Sequence, residues 1–349
     1  MSRIEAKKQF YMMYPKESSN IELQNIQRAK TDKHIMKHVS PQYIDEFEAQ
    51  LMSDTLQYSN DTRCDIIMNN VIKCSEITEI TLALEQTFIG FIDQSDFNNA
   101  RAKQRYHDGS CLVIIGRNII LDLIHISEII TLRYIQMFQL VPSVSDTLLN
   151  EWRSKLILKR TLSFDAEGFE LSLIQNDPEE YFIGISAAIL DAAIAFIIGH
   201  ECGHHFLNHT KNPYSDSEFA QFMKSDWKNS LPQLSDRHIK EFEADIFASF
   251  FTFKFIEDIR IRSCIPQFDF AQEAGFIVAA IHLFLNKSDP TMETLDHPSP
   301  FYRYKLIMTN LKSLYGPDKS EEMKTLVTWI CEESGFADTQ KWERQWWSQ

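Results

Sequence analysis

"AFIIGHECGHHFLNH" (residues 195–209) places four histidines and one glutamate within ten positions, directly behind an apolar run, in a chain that has only eleven histidines. On a helix, at about 100° per residue, His200 and His204 lie within about 40° of each other and one turn apart, so both can reach one ion. His209, on a helix that continues, falls about 180° from His200. His205 and His209 repeat the spacing, but Phe206 follows His205, whereas Glu201 follows His200. A glutamate there completes HExxH: two neutral imidazoles for a metal, and a carboxylate beside the water that the metal activates. His205 and His209 are read as structural or surface residues, and Cys202 as packing.

Working outward, a third ligand sets the class. The metzincin pattern needs Gly at 207 and His at 210, where this chain has Leu and Thr. A glutamate from a second helix is the other solution. "DRHIKEFEADIFASFFTF" (236–253) offers Glu241 and Glu243, about 200° apart on a helix. Glu241 shares its face with Ala244, Asp245 and Ala248, small residues that let this helix lie close to the first, with Asp245 placed to orient a ligating histidine. Glu241 is therefore the expected third ligand, and Glu243 points elsewhere. Gly203 in mid-helix costs about 1 kcal/mol against Ala, which a close backbone approach would explain.

"LDHPSPFYRYKLI" (295–307) adds a further piece. His297 precedes a proline and is biased away from helix, where it can donate to a developing oxyanion. Ser299 can cap a helix with Pro300 in its first position, and Gly316-Pro317 ends it. Arg303 then sits near a helix N-terminus, where the macrodipole disfavours a cation, and a carboxylate such as Asp245 or Glu241 would resolve the mismatch.

Composition bounds the rest. The chain has 349 residues, is 44% hydrophobic and 24% charged, and has few breakers (10 Gly, 11 Pro), which favours long helices. Its net charge is −14, and its densest basic stretch, "RSKLILKR" (153–160), makes no stripe for phosphates, so nucleic acid is not an expected partner. Cysteines at 64, 74, 111, 202, 264 and 331 form no CxxC, and the N-terminus has no apolar leader. Reduced thiols in a cytoplasm follow. "YFIGISAAILDAAIAFIIG" (181–199) nearly spans a bilayer in length, but Asp191 at its centre argues for a helix buried in protein instead of membrane insertion.

The expected architecture is α+β and predominantly helical, a metalloprotease core with a small β-hairpin or sheet near the active-site helix. Residues 1–100 form a mostly helical N-terminal region of unknown role, with helices around 20–38 and 41–58. Residues 101–349 form the peptidase domain. Within it, "CLVIIGRNIILDLIHI" (111–126) reads as two β-branched runs about a Gly-Arg-Asn turn, a hairpin over 111–125, with Ser127 capping the helix that follows. "FNNARAKQRYHDGS" (97–110) reads as a polar connection. A strand pair is expected at 162–174, the active-site helix at 180–208, the third-ligand helix at 237–258, another helix at 268–286 and the last at 300–315, after the His-Pro loop that begins at 297. The hairpin is expected to supply an edge strand above the metal, because a protease holds its substrate extended.

"HECGH…EFEAD…HPSPFYR" resembles the gluzincin pattern HExxH, ExxAD, HPxxxxR of HtpX-type and CAAX prenyl proteases, without their flanking transmembrane hairpins. It is more similar to the Lit peptidase family of bacterial phage exclusion, over about 110 to 315. The resemblance implies one zinc per chain held by His200, His204 and Glu241, with Glu201 as base and site roles for His297 and Arg303. It also implies a protein substrate, elongation factor Tu, and a phage-derived activator of an otherwise latent enzyme; residues 1–100, outside the resemblance, are candidates for the gate or the trigger-binding surface. Two other readings remain: a zinc-stabilised sensor or binding protein without turnover, and a membrane quality-control protease of the HtpX kind.

Overall fold

The structure, a computed structural model, describes residues 3–14, 17, 58–74, 78–93, 99–103, 105–137, 178–210, 235–263, 293–295 and 297–316. The expected helices at 20–38, 41–58 and 268–286 and the strand pair at 162–174 lie outside them, wholly or nearly so. In chain order the elements are α1 (Ile4–Met13), α2 (Thr62–Cys74), α3 (Thr78–Glu85), β1 (Thr87–Ile92), β2 (Ala100–Ala102), β3 (Cys111–Gly116), α4 (Arg117–Met137), α5 (Pro178–Phe206), α6 (Asp236–Ser263) and α7 (Pro300–Tyr315). The fold is α+β and predominantly helical, as expected. Two compact units divide it: Met1–Ile120, Ile194–Arg262 and Leu295–His297 form one, and Leu121–Ala193, Ser263–Thr294 and Pro298–Gln349 the other.

In the first unit a three-stranded sheet has the order β1-β3-β2, with β1 parallel and β2 antiparallel to the central β3. β1 ("TFIGFI") and β3 ("CLVIIG") are buried along their whole length, which is why they read as continuous apolar runs instead of alternating ones. α1 covers one face: Ala6 and Phe10 pack with Phe88, Ile92, Leu112 and Ile114. Gly90 makes that possible, since a Cβ there would meet the Phe10 ring at 2.0 Å. The loop at 108–110 holds the other end of the contact. Asp108 Oδ2 and Ser110 Oγ accept from the first-turn amides of Glu5 (3.2 Å) and Ala6 (3.0 Å), satisfying donors that a helix start leaves unpaired.

The two outer edges of the sheet differ. Asn60 closes the edge of β1: its side chain accepts from the Phe91 amide (2.7 Å) and donates to the Phe91 carbonyl (3.0 Å), while the Ile89 amide reaches Tyr58 O (2.7 Å). β2 forms the opposite edge.

The expected hairpin over 111–125 does not form. Only its first run is a strand, and the second opens a 21-residue helix, α4. Ile119, Leu123, Ile126 and Ile130 are all buried, at spacings of four, three and four. That is a helical stripe, and short apolar runs of this kind carry both periods. Ser127 is consequently a buried residue inside α4, bonded through its carbonyl to Thr131, and not a cap. The segment read as a polar connection contains β2.

The other helix ends follow local chemistry. α5 starts at Pro178, whose missing N–H costs nothing in the first turn. α6 is capped by Ser235, whose hydroxyl accepts from the His238 amide (3.2 Å), one residue before the expected Asp236. α7 begins as expected: Ser299 accepts from the Tyr302 amide, Pro300 follows, and Gly316 at φ 92° ends it. Among the described residues one helical stretch, Ile185–Phe206, is long and apolar enough to cross a membrane, and most of it is buried within the protein.

A candidate metal centre

α5 and α6 meet through small residues. A Cβ on Gly199 would stand 2.9 Å from Phe251 Cβ and 3.0 Å from Ala248 Cα, and one on Gly203 would stand 3.1 Å from Phe247 Cβ and 3.3 Å from Ala244 Cα. The glycines are thus one turn apart on α5, facing alanines one turn apart on α6. This close approach brings Glu241 against the histidine pair. His200 Nε2 and His204 Nε2 are 3.2 Å apart, and each lies 3.5 Å from a Glu241 carboxylate oxygen.

The hydrogen-bond network fixes where the protons are. His200 Nδ1 is 2.9 Å from Asp245 Oδ1, and Asp245 is fully buried. A carboxylate only accepts, so Nδ1 carries the proton and Nε2 is a bare lone pair. At the other histidine, His204 Nδ1 is 2.9 Å from His209 Nδ1, and His209 Nε2 is 2.9 Å from Glu243 Oε2. Glu243 claims the His209 proton at Nε2, so His209 Nδ1 accepts, His204 Nδ1 donates, and His204 Nε2 is bare as well. Burial pushes the His204 imidazole well below its usual range, against the pull of Glu241 and helped by His200 and His209, so it stays neutral. Burial would raise the Glu241 carboxyl, but the imidazoles gathered around it, His200, His297 and His204, hold it well below the usual range.

Two imidazole lone pairs and a carboxylate therefore converge with no proton among them. A cation is what such a cluster accepts. The two Nε2 atoms are 3.2 Å apart, one lies 3.5 Å from Glu241 Oε2 and the other 3.5 Å from Glu241 Oε1, so one atom from each residue falls within 4.8 Å of the others, close enough to share one metal ion. Among the described residues three donors gather, which leaves a fourth position for water, as in a reactive site.

Glu201 follows the first histidine and is buried at the sheet. Its Oε2 accepts the Ala102 amide at 2.5 Å. The ladder explains why that amide is free to do so. Arg101 pairs with Ile114, Lys103 N donates to Leu112 O and Gly116 N to Asn99 O, so Asn99, Arg101 and Lys103 face β3. Ala102 points its N–H away from β3. The edge strand beside the site is thus β2, not a hairpin at 111–125. His205 helps hold it there: its Nε2–H donates to Leu112 O (3.1 Å) and its Nδ1 accepts from Thr210 (3.0 Å), tying α5 to the central strand.

His297 lies with its Nδ1 3.0 Å from Glu241 Oε2 and its side chain 47% exposed. Arg303 is buried in the first turn of α7. Cys202 is buried, and burial pushes its thiol well above the usual range, in keeping with a packing role. The structure thus brings His200, Glu201, His204, Glu241, Asp245 and His297 together. Sequence reasoning missed His209, Glu243, His205 and Ala102. His209 had a signal: Asn208 takes the left-handed conformation (φ 62°), the His209 amide reaches His204 O (2.8 Å) and the Asn208 amide reaches His205 O (3.1 Å). That is a Schellman end, for which asparagine is a known substitute for glycine. It stops the helix at Phe206 and swings His209 under His204.

No curated protein and no solved structure matches the chain. Residues 123–321, more than half of it, match the family Peptidase U49, a span that includes α5, α6 and α7 and leaves out the sheet. With its HExxH pair and Glu241 gathered at one point within that span, the chain belongs to Peptidase U49, the Lit protease family of metallopeptidases.

Proposed function

We propose that this chain is a zinc-dependent endopeptidase in which His200, His204 and Glu241 hold one zinc ion and Glu201 is the general base. The observation that carries the reading is the convergence of two unprotonated Nε2 atoms and a carboxylate within reach of one ion. Zinc bound there would lower the pKa of water towards about 7 and polarise the scissile carbonyl.

The remaining chemistry falls to the chain's own residues. Glu201 takes a proton from the attacking water at its carboxylate and passes it to the departing amine. Asp245 fixes the His200 ring. His297 stands with its Nδ1 3.0 Å from Glu241 Oε2, where it steadies that carboxylate and lies close to the developing oxyanion. An extended substrate adds to the outer edge of β2, donating its amides to the outward carbonyls of Ala100 and Ala102, while the Ala102 amide stays with Glu201. Zinc lost on Glu241→Ala and kept on exchange of exposed Lys305 would agree with this assignment of the third ligand; full occupancy in Glu241→Ala would remove it.

Family resemblance supports elongation factor Tu as the substrate, a phage-derived activator and a defence role that stays latent until infection. The mostly buried apolar helix and the buried thiols of Cys64, Cys111 and Cys202 support a cytoplasmic location. Comparison of new N-termini in infected and uninfected cells expressing wild type or Glu201→Gln tests both halves. Cleavage that needs Glu201 and appears on infection is expected. Identical profiles would leave a zinc-stabilised binding protein, which needs no base.

A further inference from the structure

We infer that His209 and Glu243 are positioning residues for the metal centre: together they hold His204 in the one tautomer that can bind a metal. The inference rests on the metallopeptidase reading and concerns residues outside its ligand set.

His200 and His204 are supported differently. His200 leans on a carboxylate directly, Asp245. His204 has no carboxylate at its Nδ1. It meets the His209 ring at 2.9 Å, and that ring passes on to Glu243 at 2.9 Å. A lone histidine beside His204 would not suffice, because either of its nitrogens can carry the proton. With the proton on His209 Nδ1, that atom would donate to His204, whose own proton would move to Nε2 and occupy the metal position. Glu243 removes this alternative, since it can only accept, and so draws the His209 proton to Nε2. The order Glu243, His209, His204 thus has a single consistent set of donors and acceptors, and its free end is the lone pair at His204 Nε2.

Two further features set the pair apart from ordinary packing. Glu243 is 2% exposed, and its Oε1 has no hydrogen-bond partner among the described residues. A buried carboxylate held by one imidazole is a poor way to stabilise a fold, and an apolar side chain would fill the place at lower cost. The second feature is the helix end. Asn208 in the left-handed region turns the chain so that the ring of His209 meets that of His204, with centroids 5.1 Å apart. A helix continuing through 209 would carry the ring to the far side.

The test is zinc affinity of the full chain, by chelator competition, for wild type, His200→Ala, His209→Leu, His209→Gln, Glu243→Leu and Glu243→Gln. The absorption bands of the cobalt(II)-substituted proteins and the melting of the metal-free proteins are recorded alongside. Removing such a support weakens a metal about 10–100-fold, so His209→Leu and both Glu243 variants are expected to bind zinc that much more weakly and to show altered cobalt spectra. His209→Gln keeps an acceptor for His204 Nδ1–H and is expected to recover most of the affinity. Wild-type affinity in His209→Leu and Glu243→Leu, with zinc lost in His200→Ala, overturns the inference and leaves the metal centre standing. Weak binding that tracks lost metal-free stability, with no recovery in His209→Gln, also overturns it. A wild-type chain that binds no zinc overturns both readings.

Discussion

The amide of Ala102 donates to the carboxylate of Glu201 at 2.5 Å, joining the open edge of the sheet to the residue after the first histidine of HExxH. That amide is outside the β2–β3 ladder, so proline at 102 removes it without breaking a strand bond, as edge positions allow. Ala102→Pro is expected to keep its metal and fold, and to lose about 10–100-fold in kcat/KM on an extended protein substrate, the worth of one hydrogen bond to a charged group. Metal content, circular dichroism and cleavage rate check the three parts. Unchanged cleavage would mean that the bond from Ala102 to Glu201 plays no part in turnover.

Glu201→Gln separates binding from reaction. The amide has the shape of the carboxylate but does not take a proton, and no edge of the donor triangle involves Glu201. Zinc content and melting temperature are expected to stay near wild type while turnover falls about 10²–10⁴-fold. Wild-type turnover by this variant would exclude Glu201 as the base.

The helix contact gives a graded stability prediction. Alanine normally improves a mid-helix glycine by about 1 kcal/mol. At Gly199 the new Cβ meets backbone and Cβ atoms at 2.9–3.0 Å, which cannot swing aside, whereas at Gly203 the nearest atoms are at 3.1–3.3 Å. Overpacking costs about 1–3 kcal/mol. Gly199→Ala is expected to lower stability clearly and to pull Glu241 off the histidines, reducing zinc content. Gly203→Ala is expected to be milder. Equal melting temperatures for the two variants would contradict the contact described.

Much of the site was legible because it is written in helical spacing. His200 with His204, and Glu241 with Ala244 and Asp245, are each one turn apart, and both helices run unbroken through them. The reading failed where a helix stops or a run is short. His209 was placed on the far side because the helix was carried past Phe206; Asn208 was the overlooked stop. "NIILDLI" was taken as strand because its β-branched residues obscured the stripe of Ile119 and Leu123. β2, three residues long, has no periodicity to read, and its place beside Glu201 depends on pairing with β3, a contact no local pattern encodes.

His205 gives a pH dependence with a definite sign. Burial pushes its imidazole down to about 4, with the nearby Arg105 guanidinium adding to this and the hydrogen bond to Leu112 O opposing it; Thr210 is its other neighbour. In an unfolded chain it titrates near 6.5. Above that value it is neutral in both states and imposes no penalty. Between about 6.5 and 4 the unfolded chain binds a proton that the folded protein refuses, so stability falls as the pH drops. By pH 5 the loss is about 2 kcal/mol, and below the folded value it grows no further. His205→Gln can still donate to Leu112 O but does not titrate. Urea unfolding of the two proteins at pH 7.5 and 5 is therefore expected to show wild type losing about 2 kcal/mol more than the variant. His204 and His209 also titrate low, but they are common to both chains and cancel in the difference. Parallel losses would mean that His205 is protonated in the fold, and its bond to β3 would then have to be reassigned.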